Sequence, residues 1–181
     1  MPRRIDPHPL MVLLGFVGLC LLVALADAAV TQPGMRSWYP SLRHPPGTPP
    51  GWVFPVVWIP LYVAMAVAAW CVWRWTPPEG RPDRAAWTGT RRSGGLLLRR
   101  RGLLLWGWQL AVNALWTPVL FGLHRPPAAL GLILMLGLLV ALTLRDFGRI
   151  DRRAALLMAP YLAWVCYAAW LNAGIAWLNP A

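Results

Sequence analysis

Residues 102–123 read GLLLWGWQLAVNALWTPVLFGL, and no charged side chain interrupts this stretch. A helix that crosses a bilayer needs about 20 consecutive, mainly apolar residues. The stretch is continuous rather than alternating, and it is too long for a strand of a membrane barrel, which takes about 10 residues. Backbone groups left unpaired in lipid are costly, so the stretch is predicted to be a transmembrane helix.

Four more apolar runs lie on either side of this one: Leu10–Ala29, Trp52–Trp75, Ala128–Leu144 and Ala154–Leu178. Together the five runs predict an all-α integral membrane protein in which residues 1–181 form a single bundle of five transmembrane helices. Residues 30–51 are rich in Pro and Gly and are predicted to be extended. Residues 76–101 are predicted to be an Arg-rich loop that faces solvent and lipid headgroups.

The composition points to a membrane protein. The chain is 58% hydrophobic and 13% charged, whereas a soluble domain carries roughly 25% charged residues. The 17 basic residues are all arginines, and together with the six acidic residues they give a net charge of +11. Such a charge can indicate nucleic-acid binding, but here it lies between apolar runs, so the lipid bilayer is the predicted partner and nucleic acid is not. Heavy use of Arg, Ala and Pro without Lys also suggests a bacterial cell membrane.

The arginines predict the orientation of the bundle. Five spans place the N-terminus and residues 76–101 and 145–153 on one side, which carries all the arginines except Arg36, Arg43 and Arg125. By the positive-inside rule, that side and the N-terminus are predicted to be cytoplasmic.

The first span has a second interpretation. Arg3-Arg4, the leucine-rich run and Ala24-Leu25-Ala26 resemble a cleavable signal peptide. Cleavage after Ala26 would leave four spans with the same orientation, so the charge distribution does not decide between the two possibilities.

Aromatic motifs recur along the chain, which contains 13 Trp. They read WYPSL at 38–42, PPGWVFPVVWIPLY at 49–62, NALWTPVLFG at 113–122 and PYLAW at 160–164. In this combination they resemble the TspO/MBR family, the tryptophan-rich sensory proteins also known as translocator proteins or peripheral benzodiazepine receptors. The resemblance covers residues 31–179. It departs from the family at His44-Pro45, where the family usually has Lys-Pro.

The resemblance implies a receptor that binds protoporphyrin IX, haem and similar flat amphipathic ligands, with the porphyrin or haem as ligand and no required cofactor. It leaves open two alternatives: light-dependent oxidative degradation of protoporphyrin IX, with Trp38 or Trp116 involved, and transport of porphyrins. Pairs of small residues four apart, such as Ala64/Ala68, are consistent with a homodimer.

Helical spacing places the candidate ligand-binding residues on three stripes. One face of the second span carries Phe54, Trp58 and Tyr62. One face of the third carries Trp106, Gln109, Asn113 and Trp116, and one face of the fifth carries Tyr161, Trp164, Ala168 and Asn172. Amides at membrane depth are costly toward lipid, so they are predicted to face a cavity or a neighbouring helix. With the resemblance, the predicted ligand-binding set is Trp38, Tyr39, Trp52, Phe54, Trp58, Tyr62, Gln109, Asn113, Trp116, Tyr161, Trp164 and Ala168.

Arg36, Arg43 and His44 are the candidates for binding the carboxylates of a porphyrin, and residues 30–51 are predicted to act as a lid over the pocket. The chain shows no catalytic constellation and no metal-ligand spacing. For His44 and His124, a solvated loop histidine is favoured over a haem ligand.

Overall fold

The computed structural model describes residues 7–76 and 85–180, with side chains for residues 8–76 and 94–180. Five helices are long and apolar enough to cross a membrane, and no strand occurs among the described residues. The predicted fold class, an all-α membrane protein with five spanning helices, is confirmed. Of the arginines used to predict the orientation, Arg3, Arg4 and those between residues 81 and 92 lie outside the part of the chain whose side chains are described.

The helices are α1 (Pro7–Ser37), α2 (Val53–Arg74), α3 (Ala85–Thr117), α4 (Pro126–Ile150) and α5 (Arg152–Leu178). Tyr39–Ser41 forms a short 3-10 turn, and Pro118–Gly122 forms a π-helical turn that continues α3. The α4 helix extends beyond the predicted Ala128–Leu144, because its polar last turns continue the helix past the apolar run.

The helices pack as a ring in the order α1, α2, α5, α4, α3, and α3 returns to α1. On α5 the buried residues include Ala154, Met158, Tyr161, Val165 and Ala168, at intervals of three and four residues. This is the spacing of a single helix face turned toward its neighbours. The α1 helix is the exception, because nearly all of its side chains are at least partly exposed.

Residues 30–37 correct the prediction that 30–51 is extended. The α1 helix continues through Pro33 to Ser37, and the Trp38 amide still donates to the Gly34 carbonyl at 3.0 Å. Proline removes one donor from a helix, but here tertiary packing outweighs that loss. Gly34 is buried so closely against Phe121 that a Cβ on residue 34 would lie 3.0 Å from the Phe121 carbonyl oxygen.

Residues 85–101 correct the prediction of a loop over 76–101, because α3 begins at Ala85. Leucine and arginine are good helix formers, and long arginine side chains can lie along a helix while their charges reach water. Arg99 donates to the carbonyls of Trp73 and Trp75 at 3.3 and 3.2 Å. These are carbonyls at the end of α2 that lack a partner within the helix.

Candidate functional site

A cavity of about 580 Å³ lies between α1, α2 and the end of α3. Its size falls within the range of ligand pockets, roughly 300–1,000 Å³. Leu21 to Met35 on α1 form one wall, Trp52 to Tyr62 on and just before α2 form the second, and Trp116 to Phe121 close the third side. All three segments lie toward the end of the bundle at which residues 38–52 connect α1 to α2.

Aromatic rings dominate two of these walls. The ring centres of Trp58 and Tyr62 are 5.6 Å apart. Those of Trp116 and Phe121 are 6.4 Å apart, and the planes of these two rings are almost perpendicular. Trp52 sits at the start of α2 with 68% of its surface exposed, and Leu25 and Ile59 are also exposed. The cavity therefore opens sideways between α1 and α2, toward the surface that contacts lipid.

A chain of hydrogen bonds links this cavity to the interior of the bundle. The Asn113 amide donates to the Tyr62 hydroxyl at 2.7 Å, and that hydroxyl donates to Asp27 Oδ2 at 2.8 Å. Asn113 and Tyr62 are buried, whereas Asp27 is half-buried on the cavity wall. The chain fixes α1 against α2 and α3 and places a carboxyl group beside an apolar cavity.

Behind the cavity, the rings of Phe54, Trp58, Tyr161 and Trp164 pack against one another with centres 6.0 to 6.5 Å apart. In this ring cluster the Tyr161 hydroxyl and Trp164 Nε1 are buried without a hydrogen-bond partner among the described residues, and the same holds for Gln109 Oε1 on α3. Buried polar atoms normally have partners, so this cluster can still accept polar contacts.

The structure brings together five of the predicted ligand-binding residues at the cavity wall: Trp52, Phe54, Trp58, Tyr62 and Trp116. Five others do not line the cavity: Gln109, Asn113, Tyr161 and Ala168 are buried, and Trp164 is partly buried. The predicted stripe on α3 does face the interior. The Trp106 indole donates to the Met65 carbonyl at 3.1 Å, and the Trp116 indole donates to Asn172 Oδ1 at the same distance.

Trp38 and Tyr39 do not line the cavity. Trp38 stacks on His124 with ring centres 4.4 Å apart, and the ring centres of Tyr39 and His44 are 4.5 Å apart. Burial, together with the nearby Tyr167, raises the pKa of the Tyr39 hydroxyl to about 12, so Tyr39 stays neutral. Both rings thus serve the packing of the connection between α1 and α2.

The predicted lid, residues 30–51, covers the cavity only in part: Thr31, Gln32, Met35 and Gly51 line it, but residues 38–50 do not. The backbone amide of Arg43 donates to Asn179 Oδ1 at 2.9 Å, and Asn179 Nδ2 donates back to the Arg43 carbonyl at 3.0 Å. The Tyr167 hydroxyl donates to the Gly47 carbonyl at 2.8 Å. These bonds hold the segment over α5, and of the residues between the first two helices only Gly51 and Trp52 line the cavity.

The three candidates for binding a carboxylate also lie off the cavity wall. Arg43 is held above α5, and His44 is packed beside Tyr39. Arg36 is exposed on α1, one helical turn beyond the wall residue Gln32. Arg36 is therefore the candidate nearest to the mouth along the chain.

Sequence reasoning missed the α1 wall, which runs from Leu21 to Met35 and includes Asp27, Ala28 and Gln32. A signal was present, because Leu21, Leu25, Ala28 and Gln32 recur every three or four residues as one helical face does. Asp27 within an apolar run was a second signal, since an acid at membrane depth is costly unless it has a role.

Comparisons with known proteins agree with this architecture. The model of the TspO/MBR family matches residues 16–178. The chain is 35% identical to Protein CrtK of Rhodobacter capsulatus, over 86% of this chain and 85% of the relative. It is 34% identical to the Tryptophan-rich protein TspO of Chlorobaculum tepidum, over 91% and 93% of the two chains. It is 31% identical to the Translocator protein of Bos taurus, over 87% and 84%.

Proposed function

The chain belongs to the TspO/MBR family of five-helix membrane proteins, and we propose that it is a membrane receptor for tetrapyrroles such as protoporphyrin IX and haem. The observation that carries the proposal is the cavity between α1 and α2, which is apolar, opens sideways and has aromatic rings on two walls. A porphyrin is a flat aromatic ring system, and aromatic side chains bind such rings by stacking. We place the receptor in the cell membrane of a bacterium.

The arrangement of charge supports one orientation of the ligand. The macrocycle enters between Trp52 and Trp58, and its two carboxylates remain at the mouth. Arg36 is exposed one turn beyond Gln32 on the α1 wall, and its guanidinium can pair with a carboxylate. The opposite orientation would direct the carboxylates toward Asp27, where like charges repel.

The test is a titration of the detergent-purified protein with protoporphyrin IX in the dark, followed by quenching of Trp fluorescence and by the porphyrin absorbance. Wild type should show saturable binding. Trp52→Ala and Trp58→Ala should weaken binding by about fivefold or more, because each removes a stacking surface worth about 1 kcal/mol or more.

Trp108→Ala is the matched control, because Trp108 is 65% exposed on α3 and does not line the cavity. It should leave the dissociation constant unchanged. Weaker binding by Trp52→Ala would not be explained by misfolding, because Trp52 is an exposed residue at the rim and not part of the core. Binding that is unaffected by Trp52→Ala and Trp58→Ala would overturn the proposal.

Illumination of the same samples separates a receptor from a light-dependent enzyme. A receptor leaves the absorption spectrum of bound porphyrin unchanged. A new absorbing species that forms with wild type and not with Trp116→Phe would favour oxidative degradation, for which Trp116 is placed at the cavity wall. Uptake of porphyrin into sealed vesicles would instead favour transport.

A further inference from the structure

Asp27 is the only charged side chain among the residues that line the cavity in the described part of the chain. The remaining lining residues are apolar or neutral, and they include Trp52, Trp58 and Trp116. An acidic group within a membrane span is costly, and such residues usually pair with an opposite charge or serve a function. The groups that contact Asp27 therefore indicate whether its role is structural or functional.

Among the residues that the structure describes, Asp27 accepts a hydrogen bond from Tyr62 and has no arginine within 4.0 Å. The Tyr62 hydroxyl donates to Oδ2 at 2.8 Å, and the Asn113 amide donates to the same hydroxyl at 2.7 Å. Since the Asn113 contact uses the hydroxyl oxygen as an acceptor, the hydroxyl proton points at Asp27. Asp146, by contrast, does have an arginine partner: Arg101 Nε lies 3.2 Å from its Oδ2.

The walls beside Asp27 suit a cation that is also flat. The face of a Trp ring attracts a positive charge, and the attraction grows when water is excluded. Trp58 and Tyr62 lie next to each other on α2, with ring centres 5.6 Å apart, and Tyr62 contacts Asp27 directly. A flat cation stacked on Trp58 would thus hold its charge near the carboxyl group.

We propose that the cavity also binds flat aromatic cations, with Asp27 as the counter-charge and Trp58 as the stacking surface. This inference rests on the cavity being the ligand site proposed above, but it does not require that the natural ligand be a tetrapyrrole. It assigns Asp27 a role in selecting ligands by charge, in addition to its hydrogen bond with Tyr62.

The test uses two probes of nearly the same shape, N-methylacridinium, which carries a permanent positive charge, and 9-methylanthracene, which is neutral. Each is titrated into the detergent-purified full-length protein, and the quenching of Trp fluorescence is measured. Asp27→Asn should weaken binding of the cation by about tenfold and change binding of the neutral probe by less than about twofold. Asp27→Glu keeps the charge and should retain most of the preference for the cation.

The matched control is Asp151→Asn. Asp151 caps α5 at the opposite end of the bundle, where its side chain accepts a hydrogen bond from the Arg153 amide at 2.8 Å. This variant removes the same charge from the protein without touching the cavity, so both probes should bind as they do to wild type.

Three results would overturn the inference. Equal weakening of both probes by Asp27→Asn would mean that Asp27 acts only by packing α1 against Tyr62. Unchanged affinity of Asp27→Asn for the cation would mean that the charge of Asp27 does not contribute to binding. Binding of protoporphyrin IX without binding of the cation would leave the proposed function intact and refute the inference alone. Asp27-dependent cation binding without protoporphyrin IX binding would support the inference and refute the proposed function.

Discussion

At the scale of single residues, the chain from Asn113 through Tyr62 to Asp27 joins three helices. Both bonds are short, at 2.7 and 2.8 Å, and two of the three side chains are buried. The amide at residue 113 was predicted to face the interior, and the structure shows it doing so. Its partner could not be predicted, because helical spacing gives the face of a helix and not the neighbour that meets it.

A double-mutant cycle with Tyr62→Phe and Asn113→Ala tests this network. Hydrogen bonds between membrane helices contribute about 0.6 to 2 kcal/mol, so each single change should lower the free energy of unfolding by an amount in that range. Because the two side chains contact each other, the double variant should lose less than the sum. The measurement is unfolding in mixed detergent micelles. Fully additive losses would contradict the network.

At the scale of whole elements, α1 is the helix for which sequence reasoning was weakest. Its apolar run was predicted as a span, but its end was placed at Ala29, and Pro33 and Gly34 were assigned to an extended segment. In the structure the helix continues to Ser37 because Gly34 allows it to pack on Phe121 in the π-helical turn. Such a tertiary contact leaves no periodic signal in the sequence.

Gly34→Ala should therefore disturb α1, whereas Gly18→Ala should not. A Cβ on residue 34 would lie 3.0 Å from the Phe121 carbonyl oxygen and 3.2 Å from its Cβ, while a Cβ on residue 18 meets nothing within 4 Å. Overpacking of this kind costs about 1 to 3 kcal/mol. Thermal unfolding in detergent should show a lower midpoint for Gly34→Ala and an equal or higher one for Gly18→Ala. Equal midpoints for Gly34→Ala and wild type would contradict the close contact.

The other elements follow from the sequence to different degrees. The spans of α2 and α5 were predicted to within a few residues, because their apolar runs end where the helices end. The first part of α3 was not predicted to be helical, because its arginine-rich composition is typical of a solvated loop. The structure shows Arg99 reaching the carbonyls at the end of α2, a contact between segments that composition alone does not reveal.

At the scale of the whole molecule, the ring of five helices places the peripheral helix α1 over the aromatic face of α2. The cavity forms at this seam, whereas Gln109 and Tyr161 are fully buried among the helices and do not line it. The aromatic half of the site was therefore predictable from the motifs on α2 and α3. The α1 half was not, because it depends on which helix covers those rings.

A cavity at this seam has a consequence for how a ligand arrives. Leu25, Ile59 and Trp52 are exposed at its rim, on the surface that faces lipid and headgroups. An amphipathic ligand dissolved in the bilayer would reach the cavity without passing residues 43–47, which are held over α5 by the hydrogen bonds of Arg43 and Gly47.

Whether the ligand binds at the seam between α1 and α2 is tested by measuring the dissociation constant of protoporphyrin IX for two variants, Ala28→Trp and Ala29→Trp. Both alanines are exposed on α1, but only Ala28 lines the cavity. A Trp at residue 28 fills the cavity, so binding should weaken by about tenfold or more, whereas Ala29→Trp should bind as wild type does. Equal affinity in both variants would contradict the account and place the ligand elsewhere on the protein.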